Sequence, residues 1–361
     1  MNIIIYEDEG YKDFLPLTWT RPVYDLRCGV NTLAEKICRQ YPKTNVEFSC
    51  RYYLPGNKTM KLEKGLFING RVLAHERLAQ EIPLKGQDEI FIADKEIVAI
   101  RAVSKSFAQV SKKAKIKKVD LKVVKYPWEL IFENTMELRR DKKFFGKKGK
   151  AKIDKSAVIY NQADVLIEDG VEIEANVVID ARGGLVHLGE GVIVRPHSYL
   201  KGPLSIGAGC KVAGEISRSI FHGNDNKQHY GFIGDSYIGE WVNLGAGTTN
   251  SNLKNNYGNV KVVINGKSVD TGQKFVGCFI GDHAKTGIGS LITTGAVIGM
   301  AANIFGGGIT PKSVPSFAWG AKDRFKLDKF METVKIVMSR RKIKLTALQE
   351  DLFKKLYRLA K

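Results

Sequence analysis

The stretch from Ile280 to Ile304 reads Ile280-Gly-Asp-His-Ala-Lys, Thr286-Gly-Ile-Gly-Ser-Leu, Ile292-Thr-Thr-Gly-Ala-Val, Ile298-Gly-Met-Ala-Ala-Asn, Ile304. The six-residue period reaches back to about Ile153, with apolar residues at Ile167, Ile173, Ile179, Leu188, Val194, Leu200, Ile206, Val212, Phe232, Ile238 and Leu244. This period fits neither an α-helix nor the alternation of strands in one sheet. It predicts a solenoid in which each hexad forms one flat strand, three strands complete a triangular coil, and the aliphatic residue points inward.

The pattern resembles the hexapeptide-repeat family, whose fold is a left-handed parallel β-helix. The handedness is implied by the resemblance, because crossovers between parallel strands are otherwise right-handed. The fold does not by itself indicate one function. The same solenoid serves acyltransferases, γ-type carbonic anhydrases and segments that only oligomerise.

Composition is that of a globular protein, with 43% hydrophobic and 26% charged residues among 361. The sequence has no run of eighteen apolar residues and no signal-peptide pattern at its start. The five cysteines are scattered without a CxxC pair, which favours free thiols in a reducing compartment. We therefore expect a cytoplasmic protein.

The formal net charge is +19, from 57 Lys and Arg against 38 Asp and Glu. Such a charge suits nucleic acid, an anionic membrane surface or phosphorylated small molecules. No nucleic-acid-binding motif accompanies the basic runs, which fit solvated faces and linkers. Phosphorylated small molecules are the expected partners, and neither nucleic acid nor membrane is expected.

Three segments are predicted. Residues 1–145 show an α/β pattern, in which Ile3-Ile-Ile is a buried strand, and a basic linker from Lys142 to Lys152 follows. The solenoid occupies residues 146–312. Residues 313–361 form an amphipathic helical tail, with apolar positions at Leu327, Phe330, Val334, Val337, Leu345, Leu348, Leu352 and Leu356.

The segment Pro16 to Lys36, PLTWTRPVYDLRCGVNTLAEK, lies where an α/β nucleotide-binding domain places phosphates. It resembles the corresponding segment in an alternative branch of bacterial N-acetylglucosamine-1-phosphate uridyltransferases, where the sugar nucleotidyltransferases have a glycine-rich loop. The resemblance implies that Thr20, Arg21 and Arg27 contact a nucleotide such as UTP, with Lys36 as the alternative to Arg27 for the later cation. The glycines of that loop are missing here.

A second departure concerns the metal site. The family's central strand ends in an aspartate that binds Mg²⁺, whereas the matching stretch, Leu66-Phe-Ile-Asn-Gly-Arg71, has an arginine at or near this position. An arginine cannot be a ligand of Mg²⁺, because both are cations. Mg²⁺ is therefore expected only if the N-terminal domain is active and binds the ion through other residues. A degenerate domain kept for packing is the equally weighted alternative, and no resident metal is expected.

The hexads break at Glu215 to Gly231 and at Ser251 to Gly277, where loops can form a site. The stretch between the breaks, from His229 to Asn252, resembles the acetyltransferase domain of bifunctional glucosamine-1-phosphate acetyltransferase/uridyltransferases. The resemblance implies that His229 is catalytic. The candidate substrate-binding residues are Arg195, Arg218, Phe232, Asn243, Asn252 and Lys261, and the candidate acetyl-CoA contacts are Ala246, Gly247 and Thr286.

The chemistry of acetyl transfer needs such residues. A neutral imidazole can take a proton from the sugar amine, a backbone N–H of the turn Gly245-Ala246-Gly247 can stabilise the oxyanion, and arginines can bind a phosphate. Three other interpretations stay open. His229 can be a structural loop residue, Asn243 can form an amide ladder along the stack, and the histidines can suggest zinc, although the spacing of known sites is absent.

We therefore predict an enzyme that uses acetyl-CoA to N-acetylate glucosamine-1-phosphate or a related amino-sugar phosphate, coupled to UDP-sugar formation if the N-terminal domain is active. Family members form homotrimers, and we expect the same here. The alternative is a sugar-nucleotide-binding or nucleotidyltransferase protein whose β-helix serves only trimerisation or regulation.

Overall fold

A computed structural model describes residues 1–55, 64–146 and 149–360, with the backbone alone for 111–113. Residues 147 and 148 of the predicted basic linker lie outside the described residues. The chain divides into two compact units. Unit 1 comprises Met1–Phe14, Arg21–Leu26 and Asn31–Tyr126, and unit 2 comprises Leu15–Thr20, Arg27–Val30 and Pro127–Lys361.

Unit 1 is an α/β domain. Its elements are β1 (Ile3–Tyr6), α1 (Leu33–Gln40), β2 (Val46–Ser49), β3 (Gly65–Asn69), β4 (Val72–Leu73), α2 (Leu78–Glu81), β5 (Glu89–Ala93), β6 (Glu96–Ala102), α3 (Phe107–Lys113), β7 (Lys115–Lys118) and β8 (Lys122–Val123). Six strands form a mixed sheet in the order β2-β1-β3-β6-β5-β7, in which β1 is parallel to both β2 and β3. The carboxyl ends of these three strands therefore share one edge.

Local sequence explains the first elements of unit 1. Strand β1 buries Ile3 and Ile5 completely, as the run of isoleucines predicted. Helix α1 begins after Thr32, whose hydroxyl accepts the N–H of Glu35 while the Glu35 carboxylate accepts the N–H of Thr32. This capping box fixes the start of the helix.

Unit 2 begins with α4 (Pro127–Lys142) and continues as the solenoid. Its strands are β9 (Lys152–Ile153), β10 (Val158–Tyr160), β11 (Val165–Ile167), β12 (Glu172–Ile173), β13 (Val178–Asp180), β14 (Val186–Leu188), β15 (Ile193–Val194), β16 (Tyr199–Lys201), β17 (Leu204–Ile206), β18 (Lys211–Val212), β19 (Glu215–Ser217), β20 (Ile220–Gly223), β21 (Asn226–Lys227), β22 (Phe232–Gly234), β23 (Tyr237–Glu240), β24 (Asn243–Leu244), β25 (Thr249–Asn250), β26 (Lys261–Ile264), β27 (Lys267–Asp270), β28 (Cys278–Ile280), β29 (Lys285–Thr286), β30 (Leu291–Ile292), β31 (Ala296–Ile298), β32 (Asn303–Ile304), β33 (Ile309–Thr310), β34 (Ser313–Val314), β35 (Ala318–Trp319) and β36 (Asp323–Arg324). Helices α5 (Leu327–Ser339) and α6 (Ala347–Leu359) follow.

Successive solenoid strands fall on three faces in turn. Face 1 runs β9-β12-β15-β18-β21-β24-β29-β32-β35-β36, face 2 runs β10-β13-β16-β19-β22 and continues as β25-β30-β33, and face 3 runs β11-β14-β17-β20-β23-β28-β31-β34. Neighbouring strands are parallel except for the last pair of face 1. The insertion predicted between Ser251 and Gly277 contains the antiparallel hairpin β26–β27. The three-faced coil predicted from the six-residue period is confirmed.

The inward column of aliphatic residues forms the core of unit 2. Leu200, Ile206, Val212 and Ile238 are fully buried in it. The prediction was wrong by one residue in β22. There Ile233 is buried and pairs with Ile216 of β19, so the preceding Phe232 lies on the outer surface, because side chains of a strand alternate between its two sides.

Helices cover parts of the solenoid. On face 3, the ring of Trp128 in α4 packs 6.3 Å from that of Phe279, and Asn134 accepts a hydrogen bond of 3.0 Å from Ser205. The predicted tail helices are confirmed as α5 and α6, and Phe330 and Phe353 pack edge-on against the ring of His283. The residues of α6 that face the solenoid differ in part from those predicted, since Leu348 is 67% exposed and Phe353 is buried. In the part of the chain that is described, no helix is both long and apolar enough to cross a membrane.

Candidate active site

The turn that carries His229 joins face 1 to face 2. Residues 228–231 lie between β21 and β22, and the side chain of His229 is exposed. On the next coil the equivalent turn contains Gly247, whose N–H donates a hydrogen bond of 3.1 Å to the carbonyl of Tyr230. The phenolic oxygen of Tyr230 lies only 3.1 Å from where a Cβ of Gly247 would be, so the glycine makes room for it. The predicted base and the predicted acetyl-CoA contact Gly247 thus occupy adjacent turns.

On face 2, four side chains converge beside this turn. Asp235, which follows β22, is 1% exposed. Its Oδ1 accepts a hydrogen bond of 2.8 Å from Nε of Arg218, and its Oδ2 accepts one of 2.7 Å from Nδ2 of Asn252. A Cβ on Gly234 would lie 2.4 Å from Cζ of Phe232 and 3.1 Å from Nδ2 of Asn252, so the ring and the amide meet above this glycine. The structure therefore brings together the predicted residues Arg218, Phe232 and Asn252.

The orientation of this cluster leaves specific atoms for a ligand. Within the described residues, Nη1 and Nη2 of Arg218 and Oδ1 of Asn252 have no protein partner. A guanidinium edge of this kind binds a phosphate, and an amide oxygen accepts a hydrogen bond from an amine or hydroxyl. Burial raises the pKa of Asp235, and the adjacent guanidinium of Arg218 opposes the increase. The cluster can thus bind a molecule that carries a phosphate and a hydrogen-bond donor.

On face 1, a second set of polar side chains leads to the same turn. Arg195 donates to Oε1 of Gln228 from Nε and Nη2, at 3.0 and 2.5 Å, and to Oε1 of Glu174 from Nη1 at 2.8 Å. Gln228 donates to Asn226, which donates to Oδ1 of Asn243 at 2.8 Å. All three guanidinium nitrogens of Arg195 are therefore engaged by the protein.

The amide ladder considered for Asn243 is present. Asn226 and Asn243 are register partners on β21 and β24, and their amides are hydrogen-bonded. Because Gln228 precedes His229 directly, this ladder connects Arg195 to the turn of the predicted base. Arg195 and Asn243 belong to one network, but the network is separate from the cluster around Asp235.

The remaining predicted residues lie around these two groups. Lys261 begins β26 of the hairpin and is exposed. Thr286 is 5% exposed, and its hydroxyl lies 2.7 Å from that of Thr248 and accepts the N–H of Gly245. Since Gly245 and Gly247 both donate to backbone carbonyls, the N–H of Ala246 is the one amide of this turn without a partner in the described residues.

The predicted nucleotide contacts do not form one site within either unit. Thr20 belongs to unit 2, where its hydroxyl donates to Asp282. Arg27 also belongs to unit 2, and its backbone N–H donates a hydrogen bond of 2.8 Å to the hydroxyl of Tyr237. Arg21 belongs to unit 1 and is 9% exposed. The assignment of these three residues to a nucleotide stays a prediction.

Arg71 fills the carboxyl edge of the unit 1 sheet. It lies near the ends of β1 and β3, where its Nε and Nη2 donate to both carboxylate oxygens of Asp8, at 2.8 and 2.5 Å. Nη2 also donates to Glu96 at 2.8 Å, and Nη1 donates to the carbonyl of Val124 at 2.9 Å. Asn69, the last residue of β3, donates to Asp8. The carboxylates that could hold Mg²⁺ here already hold a cation, so the donor set does not fit the metal.

A zinc site was the alternative based on the histidines. Among the described residues, no three His, Cys, Asp or Glu side chains are placed to hold a metal ion. His187 is buried and hydrogen-bonded to Glu168 at 2.8 Å, and burial lowers the pKa of its imidazole. His283 packs among aromatic rings, parallel to Trp241. The histidines therefore occupy separate environments.

Comparisons with known proteins agree with this arrangement. Residues 3–150 match the family described as sugar nucleotidyl transferase. A bifunctional sugar-1-phosphate nucleotidylyltransferase/acetyltransferase of Sulfurisphaera tokodaii is 33% identical over 153 residues, which are 42% of this chain and 37% of that protein. The bifunctional protein GlmU of Methanococcus aeolicus is 34% identical over 176 residues, 48% of this chain and 40% of that protein. The chain is thus similar in part to sugar nucleotidyl transferases and to bifunctional nucleotidylyltransferase/acetyltransferases.

The match over residues 3–150, the three-faced coil of parallel strands and helices α5 and α6 together confirm the predicted fold class, an α/β nucleotidyltransferase-like domain with a left-handed β-helix of hexapeptide repeats and C-terminal helices. The matched segments span only 37% and 40% of those two relatives. Among solved structures, the N-acyltransferase AntD of Bacillus cereus, in complex with dTDP and coenzyme A, is 18% identical. The match covers 53% of this chain and 90% of that one with a TM-score of 0.24, too low to support an argument.

Sequence reasoning did not select four residues of the site. Asp235, Gln228 and Asn226 hold predicted residues in place, and Lys227 contacts the backbone of His229. Asp235 follows Gly234 within the stretch from His229 to Asn252 that carries the resemblance, and this position was the available signal. The other three lie in the break of the hexads, where the repeat gives no indication of which side chains face outward.

Proposed function

We propose that unit 2 transfers the acetyl group of acetyl-CoA to the amine of glucosamine-1-phosphate or a related amino-sugar phosphate. The observation that carries the proposal is the cluster in which buried Asp235 holds Arg218 and Asn252 beside the ring of Phe232, next to the turn of His229. Arg218 presents a guanidinium edge for the phosphate, and Phe232 presents an apolar face for the sugar ring.

In this proposal the imidazole of His229 accepts a proton from the sugar amine while the nitrogen of that amine attacks the thioester carbonyl. A C–N bond forms, and the oxyanion is stabilised by the N–H of Ala246, which has no partner among the described residues, in the turn Gly245-Ala246-Gly247. The C–S bond then breaks, and the coenzyme A thiolate takes up the proton from His229. The products are the N-acetyl sugar phosphate and free coenzyme A, so no metal or oxidant is needed.

The test is release of the coenzyme A thiol from acetyl-CoA in the presence of glucosamine-1-phosphate. N-acetylglucosamine-1-phosphate is the matched control acceptor, because its amine is already blocked. The expected result is turnover with the first compound and background with the second. Absence of turnover in pure folded protein would remove the proposal.

The second candidate function is nucleotidyl transfer by the N-terminal segment to give a UDP-sugar, which the match of residues 3–150 to sugar nucleotidyl transferases favours. The contacts of Arg71 oppose a Mg²⁺-dependent form of this reaction. The proposed contacts for UTP are still Thr20, Arg21 and Arg27. If unit 2 proves inactive, the alternative is that the solenoid serves only trimerisation or regulation.

We propose a homotrimer as the assembly, because flat solenoid faces offer long sides for a closed cyclic contact. Light scattering at micromolar concentration tests this, and a monomer would contradict it. We also propose a cytoplasmic location, which fits five cysteines that are all free thiols.

A further inference from the structure

Lys227 occupies a position that the repeat reserves for an aliphatic residue. It is the last residue of β21, and its register partner on β18 is Val212, which is fully buried in the core of the solenoid. The residue that follows Asn243, the partner of Asn226 on the next coil, is the buried Leu244. Lys227 is 1% exposed, so its side chain lies inside the coil.

The amine of Lys227 contacts backbone carbonyls. Nζ donates a hydrogen bond of 2.9 Å to the oxygen of His229 and one of 3.2 Å to the oxygen of Ala213. Its pKa is lowered to about 8, and burial is the cause. The nearby interior carboxylate of Asp225 binds the N–H of Val242 instead. Within the described residues, carbonyl oxygens are therefore the only hydrogen-bond acceptors of this amine.

Such a residue is unfavourable for folding. A buried cation without a carboxylate partner loses its hydration, whereas an aliphatic side chain of similar length would gain stability in this column. The amine instead acts on the neighbouring turn, because its hydrogen bond keeps the carbonyl of His229 directed toward the interior. With that peptide group fixed, the exposed imidazole has one backbone orientation from which to reach a ligand.

We propose that Lys227 is a positioning residue for acetyl transfer, which holds the turn of His229 in its working geometry from inside the solenoid. The inference rests on the proposed role of His229 as the base. Lys227 itself touches neither the amino sugar nor acetyl-CoA, because its side chain is enclosed.

The test is Lys227→Met, which keeps the length of the side chain and removes its donor. A small displacement of a catalytic group costs up to about 10²-fold in rate, so kcat is expected to fall at least about tenfold, with KM for acetyl-CoA within about twofold. The unfolding temperature is expected to stay equal or to rise, because the buried charge is gone. A lysine with a merely structural role would not combine a lower kcat with an equal or higher unfolding temperature.

The matched control is Leu244→Met, which changes the equivalent interior position one coil along without touching a donor. A kcat of Lys227→Met within about threefold of wild type, or an equal loss in Leu244→Met, would overturn the inference. Should Lys227→Met fail to fold, Lys227→Leu also removes the donor and places the residue type of the equivalent position Leu244, and its kcat is read by the same criterion.

Amide hydrogen exchange of residues 228–232 separates this inference from the proposed function, because it needs no turnover. Faster exchange in Lys227→Met than in wild type and Leu244→Met is expected if the amine holds the turn. Faster exchange in Lys227→Met than in wild type, combined with a wild-type protein that lacks turnover, would leave the positioning contact standing and remove the function. Unchanged exchange in an active protein would remove the positioning role alone.

Discussion

Asp235 holds Asn252 of the next coil of the solenoid, with 2.7 Å between Oδ2 of the carboxylate and Nδ2 of the amide. Because the amide nitrogen donates inward, the amide oxygen faces outward as an acceptor. The same carboxylate holds Nε of Arg218, so one buried side chain sets the direction of two predicted substrate contacts.

The first prediction follows from that contact. Asp235→Asn removes the charge that holds Arg218 and permits the amide of Asn252 to turn. KM for the sugar phosphate is expected to rise about tenfold or more, with a smaller change in KM for acetyl-CoA, because the cluster faces the sugar site. Steady-state kinetics with each substrate varied measures both constants. Equal changes in the two constants would count against a specific role for Asp235.

The second prediction concerns the base. His229→Ala is expected to lower kcat by about 10²–10⁴-fold while acetyl-CoA binding stays nearly intact, since a general base acts on the transition state and not on cofactor affinity. Turnover and calorimetric binding of acetyl-CoA measure the two effects. A variant that keeps more than about a tenth of wild-type kcat would demote His229 to a structural loop residue.

The third prediction compares two arginines. Arg218 has two nitrogens without a partner in the described part of the chain, whereas all three of Arg195 are bound by Gln228 and Glu174. Arg218→Ala is therefore expected to raise KM for the sugar phosphate about tenfold or more, as loss of a phosphate contact should. Arg195→Ala is expected to raise KM less and to lower kcat as well, because its network ends at the turn of His229. The reverse order of the two KM values would contradict this assignment.

The fourth prediction concerns unit 1. Because the Arg71 guanidinium already binds Asp8 and Glu96, Mg²⁺-dependent release of pyrophosphate from UTP and N-acetylglucosamine-1-phosphate is expected to be weak or absent. Acetyl transfer by the same preparation is the control for folded protein. A robust rate that requires Mg²⁺ and is abolished in Asp8→Asn would show that these carboxylates bind the metal despite the arginine.

The fifth prediction concerns pH. Asp225 is 1% exposed inside the solenoid, and burial raises its pKa well above the ordinary value of 3.8. The folded state keeps its proton where the unfolded state has lost it. Stability therefore falls as pH rises above about 4, by at most about 1.4 kcal/mol per pH unit for this one group, until the pKa of the folded state is passed.

Asp225→Asn should remove this loss, since its amide oxygen can still accept the N–H of Val242. The unfolding temperature of the variant is expected to match wild type near pH 4 and to exceed it increasingly toward pH 8. The surface variant Asp351→Asn is the control, because Asp351 is exposed. An Asp225→Asn protein that is less stable than wild type at pH 8 would show that the carboxylate is ionised at this pH and stabilises the folded state.

The period of six residues was enough to predict the coil, its three faces and most of its core. It failed at Phe232, which was predicted to point inward. Side chains of a strand alternate between its two sides, and in β22 the neighbouring Ile233 takes the inward position. In α6 the spacing included Leu348, which is exposed, because a 3.6-residue period admits several adjacent apolar stripes and only packing selects one.

The sequence by itself determined the repeat, the basic charge, the tail helices and the candidates His229, Arg218 and Asn252, since each is a local pattern or a motif. Only the tertiary structure decided that Arg195 is bound within a network while Arg218 presents a free edge, and that Lys227 and Asp225 point inward. Those facts depend on which residues of successive coils are register partners. A coil brings together side chains some seventeen residues apart, as in Arg218 with Asp235, and no local pattern encodes that distance.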